Sequence, residues 1–341
     1  MRQAGRYMAD FRAYSDRIPF RERSETAEIA VELSLQPWRA FKPDGVIMFS
    51  DILTPLPALG IEFDVIKGKG PVIASPLRSR EAVAALRPLA DADAALPFIR
   101  PILTALRAEV GNASTVLGFV GTPWTLAAYA VEGKADKHCM ATKTMMRRDP
   151  ALLHSLLNHL TESLITYVVH QIDCGAQVVQ LFDSWAHHLS PSQFAEFSMP
   201  YAERVIAGVR AVRPGTPLIL HANGGTGKHG LLASTAADVV GLDWSTSMAD
   251  ARSTFGPSRT LAGNVDPMEL FGGDAAIAAA VERCLLDADA SGAARGRHIL
   301  NVGHGVAQGT PEEAVALFCE LARGSAAVLE RGAGARVPAS V

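Results

Sequence analysis

Gln177-Val178-Val179-Gln180-Leu181-Phe182-Asp183-Ser184 is the stretch that decides the fold, because a mostly apolar run ends directly in a carboxylate and a hydroxyl. A run of this length and composition predicts a buried β-strand. Comparable runs predict seven strands in all, at residues 45–50, 115–121, 177–183, 217–221, 238–242, 259–263 and 298–302. Polar residues stand at or just past the ends of these strands, namely Ser50, Asp51, Asp183, Ser184, His221, Asp243, Asn264 and His304.

Longer stretches with helical periodicity separate the strands, and we predict helices at residues 24–41, 149–171, 192–212, 274–289 and 311–323. Alternating strands and helices indicate a parallel α/β sheet. Polar groups gathered at one edge of that sheet favour a single (β/α)8 TIM barrel, whose carboxyl edge carries the active site. We expect the eighth strand near residues 71–73 or in the N-terminal region. An open, doubly wound sheet is the alternative.

The chain of 341 residues shows no interdomain linker, so we predict one domain over residues 1–341, with a disordered tail from about residue 324. Its net charge of -3 and pI of about 6.4 predict no general attraction to nucleic acid or to an anionic membrane. Four scattered cysteines, no signal peptide and no apolar run near the roughly 20 residues of a membrane span favour a reducing compartment.

The N-terminal stretch holds two guanidinium groups, on Arg2 and Arg6, on either side of Gly5. An arginine fork binds a carboxylate or phosphate through two hydrogen bonds and keeps its charge. Two such groups with close backbone access between them predict a cradle for a multiply charged anion, which we take to be a carboxylate.

Residues 225–230 match the GxGxxG pattern of a dinucleotide site, with Asp243 at the end of the next predicted strand. The short segment before residue 238 leaves room for only about two helical turns, which argues against this alternative. A Walker A loop is excluded, because His229 follows Lys228 where that motif has Ser or Thr.

Two sets of residues are candidate metal ligands: Asp183 with His187 and His188, and His154 with His159. Neither set has the spacing of a known metal motif, and we predict no metal. A cysteine at position 223 would have suggested a zinc-thiolate site with His221, but Asn223 stands there.

Three further segments carry candidate pocket residues. Asp51 lies in residues 49–57, beside a proline-stiffened apolar loop. Residues 118–133 run from a strand through a Gly-Thr-Pro turn into aromatic residues that include Tyr129. His304 stands between two glycines, which allow close approach of the backbone.

Residues 1–7, 49–57, 118–133 and 301–305, supported by 181–185, 240–244 and 263–267, carry a resemblance to a known family. The chain resembles the uroporphyrinogen decarboxylase family, in its cyanobacterial and plastid branch, over nearly its whole length. The resemblance implies a (β/α)8 barrel, a homodimer with facing clefts, and no cofactor. It also implies a cytoplasmic or plastid stromal location.

The implied reaction belongs to tetrapyrrole biosynthesis and converts the four acetate side chains of uroporphyrinogen III to methyl groups, giving coproporphyrinogen III. The implied catalytic residues are Asp51, which would accept the pyrrole N–H groups, and Arg2. The implied substrate-binding residues are Arg2, Gln3, Ala4, Gly5, Arg6, Asp51, Phe119, Tyr129, Phe182, Ser184 and His304. Loss of carbon dioxide requires a cationic ring as electron sink, and an ionised Asp51 would stabilise that cation.

The chain departs from the family pattern at residues 186–188 and 221–225. Family members also commonly carry a leader ahead of the Arg-Gln-Ala-Gly-Arg motif, and because the given sequence starts inside that motif, we expect Arg2 to be weakly anchored. Two other classes stay open. A corrinoid-related methyltransferase would need bound zinc, and a tetrapyrrole-binding protein without turnover would keep the pocket but release no carbon dioxide.

Overall fold

The computed structural model describes residues 4–66 and 68–334. Its strands are β1 (Gly45–Ile47), β2 (Phe63–Ile66), β3 (Gly70–Ile73), β4 (Thr115–Gly121), β5 (Val178–Asp183), β6 (Leu218–Ala222), β7 (Val239–Gly241), β8 (Thr260–Val265) and β9 (His298–Val302). Seven of them form one parallel sheet in the order β1-β4-β5-β6-β7-β8-β9. Each predicted strand is present, with its ends within three residues of the prediction.

The remaining two strands, β2 and β3, form a separate antiparallel hairpin. The prediction of an eighth parallel strand near residues 71–73 is therefore wrong. The physical reason is the tight turn between Ile66 and Gly70, because so short a connection can join only antiparallel neighbours. The other proposed place, the N-terminal region, is helical or irregular throughout residues 4–44, so the eighth position is not filled from there either.

Sixteen α-helices surround the sheet among the described residues. They are α1 (Ala9–Ser15), α2 (Phe20–Glu25), α3 (Ala27–Phe41), α4 (Arg80–Ala84), α5 (Ala92–Ala95), α6 (Ile99–Val110), α7 (Pro123–Glu132), α8 (Met140–Arg148), α9 (Pro150–Asp173), α10 (Pro191–Phe197), α11 (Met199–Val212), α12 (His229–Leu232), α13 (Met248–Phe255), α14 (Asp274–Asp289), α15 (Glu312–Arg323) and α16 (Ser325–Gly334). None of these helices is long and apolar enough to cross a membrane.

Two of the five predicted helices are each split in two. Extended backbone at Thr26 separates α2 from α3, and Ser198 separates α10 from α11. Pro200, in the first turn of α11, has no N–H to bond to the carbonyl one turn earlier, so a continuous helix is disfavoured there. The other three agree with the prediction. Helix α9, for example, begins after Asp149, whose side chain accepts the Leu152 amide hydrogen at 3.1 Å.

The two faces of the sheet have different neighbours, because side chains alternate along each strand. Leu181, Leu220 and Val240 lie fully buried in the large core between sheet and helices. Residues of the opposite parity, Ile219 and Val239 with Ala262, form a small separate apolar cluster. Such a layer is expected at the floor of a barrel interior.

The N-terminal segment lies between the ends of β1 and β9. Its short 3-10 helix, Ala4–Arg6, accepts the Gly309 amide hydrogen at the Arg6 carbonyl (2.9 Å). Phe11 packs against Phe49, just past β1, with ring centroids 5.9 Å apart. The segment therefore brings Arg6, one of the two arginines of the predicted anion cradle, to the carboxyl edge of the sheet.

Ser325–Gly334, at the start of the tail that we predict to be disordered, form α16. Val328 and Leu329 pack on the apolar cluster of α14 and α15, and the Arg295 guanidinium donates to the Leu329 carbonyl at 3.4 Å. The apolar contact gives this helix the support that composition alone did not reveal. The rest of the predicted tail, residues 335–341, lies outside the described residues.

Candidate active site

Three rings line one side of the barrel interior. Phe119 on β4 meets Phe182 on β5 edge to face, with centroids 5.9 Å apart, and Phe182 meets His221 on β6 at 5.8 Å. All three have the parity of the interior floor, and Phe182 and His221 are direct partners in the register. The two phenylalanines predicted as pocket walls therefore lie together. Sequence reasoning placed His221 at a strand end but assigned it no role, because the sequence does not show which alternate residues of β6 face the interior.

The His221 ring lies over the backbone of Gly241, its partner on β7. A Cβ atom at Gly241 would come within 2.9 Å of Nδ1, so the absence of a side chain there makes room for the ring. Burial lowers the pKa of His221 to about 4; Asp243 and a hydrogen bond to the Gly241 backbone oppose this effect, and His304 adds to it. The imidazole is therefore neutral at neutral pH, inside the mouth of the barrel.

Asp51 lies four residues past β1 and is 5% exposed. Its Oδ1 accepts the Leu53 amide hydrogen at 3.1 Å, and its own amide donates to Thr54 Oγ1 at 3.1 Å. Thr54 Oγ1 also lies 2.6 Å from Ser50 Oγ. These local hydrogen bonds form an Asx-type turn that fixes the direction of the carboxylate.

Tyr129 and Ser184 lie on neighbouring elements of this edge. Tyr129 is on α7, which begins directly after β4 where Thr122 caps its first turn. Ser184 follows β5, and the ring of the next residue, Trp185, packs against Tyr129 with centroids 4.5 Å apart and the two planes tilted by 49°. The Trp124 indole donates to the Trp185 carbonyl at 3.1 Å. The contact of Trp185 with Tyr129 thus joins α7 to the residue that directly follows Ser184.

Asp183 has the opposite orientation to its neighbours Phe182 and Ser184. It points to the helices, is 1% exposed, and accepts hydrogen bonds from Thr125 Oγ1 (3.0 Å) and Ser198 Oγ. Burial raises its pKa to about 6, although these hydroxyl donors and Lys228 act in the other direction. A metal-ligand role for Asp183 is not supported by this orientation.

The loop after β9 carries His304 and is bonded to Arg6 of the N-terminal segment. His304 is exposed, while Arg6 Nη1 donates to the Val306 carbonyl at 2.5 Å. Gly303 is required at its place, since a Cβ atom there would lie 2.3 Å from the Trp244 amide nitrogen. Ala4 is fully buried and Gly5 lies beside the Phe11 ring. Arg2 and Gln3 lie outside the described residues.

Asn223 stabilises the turn after β5 through its side chain. Its side chain donates to the Ser184 carbonyl at 3.1 Å and lies 3.1 Å from His187 Nδ1. The His187 and His188 rings are 4.0 Å apart, and burial lowers the pKa of both. Over residues 4–66 and 68–334, no three His, Cys, Asp or Glu side chains are grouped as a metal site requires.

The glycine-rich stretch at 225–230 is not followed by a helix long enough to hold a dinucleotide. Helix α12 has four residues, and the Gly225 amide donates to the Asp243 carboxylate at 2.7 Å. Lys228 is buried and donates from Nζ to the Gly224 carbonyl at 2.7 Å. The loop therefore satisfies its polar groups within the protein, in contrast to a phosphate cradle.

The chain is similar to known proteins over nearly its whole length. A family model described as "Uroporphyrinogen decarboxylase (URO-D)" matches residues 1–325. A curated uroporphyrinogen decarboxylase from Crocosphaera subtropica is 53% identical over 324 residues, covering 95% of this chain and 90% of its own. Those from Thermosynechococcus vestitus (53%, covering 93% and 91%) and Gloeobacter violaceus (49%, covering 97% and 94%) are similarly related.

Two solved structures share the architecture. A methyltransferase from Methanosarcina mazei superimposes with a TM-score of 0.74 at 19% identity, covering 93% of this chain and 91% of its own. A B12-independent methionine synthase from a Shewanella species gives 0.58 at 12% identity, covering 90% and 88%. These distant likenesses concern the fold alone, and with the family match they confirm the predicted (β/α)8 barrel class.

Proposed function

The chain belongs to the uroporphyrinogen decarboxylase family, and from that premise we propose how it acts. It decarboxylates uroporphyrinogen in tetrapyrrole biosynthesis, as a carboxy-lyase. In our proposal the substrate is the III isomer, all four acetate side chains become methyl groups, and the product is coproporphyrinogen III. The observation that carries the mechanism is a buried carboxylate, Asp51, held rigidly at the carboxyl edge of the sheet.

Each decarboxylation consumes one proton: the acetate R–CH2–COO⁻ and H⁺ give R–CH3 and CO2. Protonation of the adjacent pyrrole carbon makes the ring cationic. The bond between the methylene carbon and the carboxylate then breaks, and its electron pair neutralises the ring. A second proton adds to the methylene carbon as the ring carbon gives up its own, so the net uptake is one proton. The chemistry is carried by the substrate, and no cofactor takes part in this proposal.

Asp51 acts on the charge that develops in this sequence. An ionised carboxylate about 4 Å from the ring cation contributes roughly 4 kcal/mol at an effective dielectric constant near 20. Since each 1.36 kcal/mol changes a rate about tenfold, one such group accounts for about a thousandfold. The same carboxylate would accept hydrogen bonds from the pyrrole N–H groups in the ground state.

The other site residues bind and enclose the substrate in our proposal. Phe119 and Phe182, whose rings are in contact, form an apolar wall for the macrocycle. The groups proposed to contact its carboxylates are Arg2, Gln3, Ala4, Gly5, Arg6, Tyr129, Ser184 and His304. Arg2 has a second proposed role in catalysis, as a proton relay that acts together with water.

We also propose that the protein is a soluble homodimer of the cytoplasm or the plastid stroma. Three large apolar side chains near the carboxyl edge, Trp244, Met268 and Phe271, are 50%, 57% and 43% exposed. They follow the neighbouring strands β7 and β8, and on this placement we propose that they belong to the dimer interface. Sedimentation velocity tests this: Phe271→Glu should give monomers, whereas Val212→Glu, at the similarly exposed last residue of α11, should not.

The decisive experiment for the activity is anaerobic incubation with freshly reduced uroporphyrinogen III, followed by oxidation and chromatography of the products. We expect porphyrins with seven, six, five and four carboxylates in succession. Asp51→Asn should abolish the series, and Asp64→Asn, at an exposed aspartate that also bonds a nearby amide, should not. Binding of substrate without carbon dioxide release would favour a tetrapyrrole-binding protein.

A further inference from the structure

The buried carboxylate of Asp183 has no role in the mechanism above, yet it lies directly behind the pocket wall. Alternation along β5 places Phe182 in the pocket wall and Asp183 against the helices. The two oxygens of Asp183 have different partners. Oδ1 accepts from Thr125 Oγ1 at 3.0 Å, and Oδ2 accepts from Ser198 Oγ.

Thr125 connects that carboxylate to the proposed substrate ligands. It precedes Tyr129 by four residues on α7, so the two side chains lie on the same face of the helix, one turn apart. Thr125 Oγ1 also accepts the Trp185 amide hydrogen at 3.3 Å, and the Trp185 ring packs on Tyr129. One hydroxyl therefore ties the helix that carries Tyr129 to the peptide that directly follows Ser184.

Ser198 offers a natural contrast. It lies at the corner between α10 and α11, on the outer layer, and its bond to Oδ2 leads to no proposed substrate ligand. Both hydroxyls are buried and both donate to the same carboxylate. They differ because Thr125 is connected to proposed substrate ligands and Ser198 is not. Comparing the two therefore separates a positional role from a contribution to stability.

We propose that Asp183 is a positioning residue which, through Thr125, fixes Tyr129 and Ser184 relative to each other so that both contact carboxylates of one bound substrate. This inference rests on the proposed function, because it requires Tyr129 and Ser184 to be substrate ligands. Asp183 itself is enclosed by protein and does not touch substrate.

The test compares Thr125→Val, which removes the hydroxyl with little change in shape, with Ser198→Ala. We expect Thr125→Val to raise KM and the dissociation constant for uroporphyrinogen about tenfold, with kcat within about threefold of the wild type. Ser198→Ala should leave KM within about twofold, although both variants should melt at lower temperature. Thr125→Ser, which keeps the hydroxyl, should restore the wild-type KM.

A double-mutant cycle supplies the second readout. If Thr125 acts through Tyr129, then Tyr129→Phe should weaken binding much less in the Thr125→Val background than in the wild type. Full additivity, or equal KM values for Thr125→Val and Ser198→Ala, would overturn the inference. If Thr125→Val does not fold, Thr125→Cys, whose thiol is a weak donor, takes its place.

Binding is measured separately from turnover, by anaerobic quenching of tryptophan fluorescence. If the wild type binds uroporphyrinogen but releases no carbon dioxide, the proposed function fails, and the inference is still judged on the dissociation constants. If the wild type turns over normally and the two variants bind alike, only the inference fails. A wild type that does not bind uroporphyrinogen contradicts both.

Discussion

Asp51 and Asp183 are the same residue type, almost equally buried, just past β1 and at the end of β5, two strands apart in the sheet order. Their partners differ. Asp51 is held by a backbone amide two residues along the chain, whereas Asp183 is held by side-chain hydroxyls from α7 and from the corner of α10 and α11. A locally fixed carboxylate can serve a ligand, while one bound to distant helices organises the protein around it.

The largest effect is expected on kcat/KM when Asp51, the proposed substrate ligand, is replaced. Asp51→Asn keeps the oxygen that accepts the Leu53 amide, so the fold should be retained and the melting temperature should change by less than about 2 °C. Loss of the charge should lower kcat/KM about a thousandfold. Turnover assays and calorimetry on the same preparation check this. Near-normal turnover of Asp51→Asn would contradict the view that Asp51 acts on the substrate while Asp183 acts on the fold.

At Asp183 the expected effect is on stability and depends on pH. Its folded pKa of about 6 lies above the ordinary value of 3.8, so the folded state binds the proton more tightly. That stabilisation is present at low pH and is lost as pH rises through 6, by about 3 kcal/mol in total. Urea unfolding of the wild type and Asp183→Asn between pH 4 and pH 7 should show the difference in slope, and parallel curves would contradict it.

His221 should show the opposite sign in the same pH range. Its folded pKa of about 4 lies below the ordinary 6.5, so the unfolded state takes up the proton first as pH falls. Its contribution is complete above pH 6.5 and is lost toward pH 4, by about 2 kcal/mol for a partly exposed ring. His221→Phe keeps an aromatic ring in contact with Phe182 and should remove this loss of unfolding free energy at low pH, as measured by urea titration. If the unfolding free energy of the variant falls with pH as steeply as that of the wild type, the pKa of His221 is not lowered by folding.

The smallest expected effect is that of metal removal. If Asp183 serves the helices and not a metal, extended dialysis against a chelator should leave kcat and melting temperature within experimental scatter. Activity that is lost with EDTA and restored by zinc would make Asp183 and the nearby histidines ligands after all. It would also favour the methyltransferase alternative.

Strand positions could be predicted from the sequence because each parallel strand is a short apolar run with polar residues at its end, as in 177–184. The direction of a single side chain could not. Asp183 and Ser184 looked alike in sequence, and only the register with β4 and β6 places Asp183 among the helices. The same information was needed to find His221 in the interior.

Long-range contacts account for the remaining differences. The break at Ser198 coincides with its bond to Asp183, fifteen residues away, and α16 depends on the surface of α14 and α15. Neither partner is visible in a local window of sequence. The hairpin of β2 and β3 was misread because an apolar run has the same appearance in a parallel and an antiparallel pair.

The alternation along β5 also restricts how such an enzyme can evolve. Deletion of one residue within the strand would reverse every later side chain, turning a buried acid toward the substrate and a serine toward the helices. No single substitution repairs that exchange. Descendants of this scaffold that acquire new substrates should therefore keep the length of the strand unchanged and vary instead in the loops beyond it and in the size of the residues that face inward.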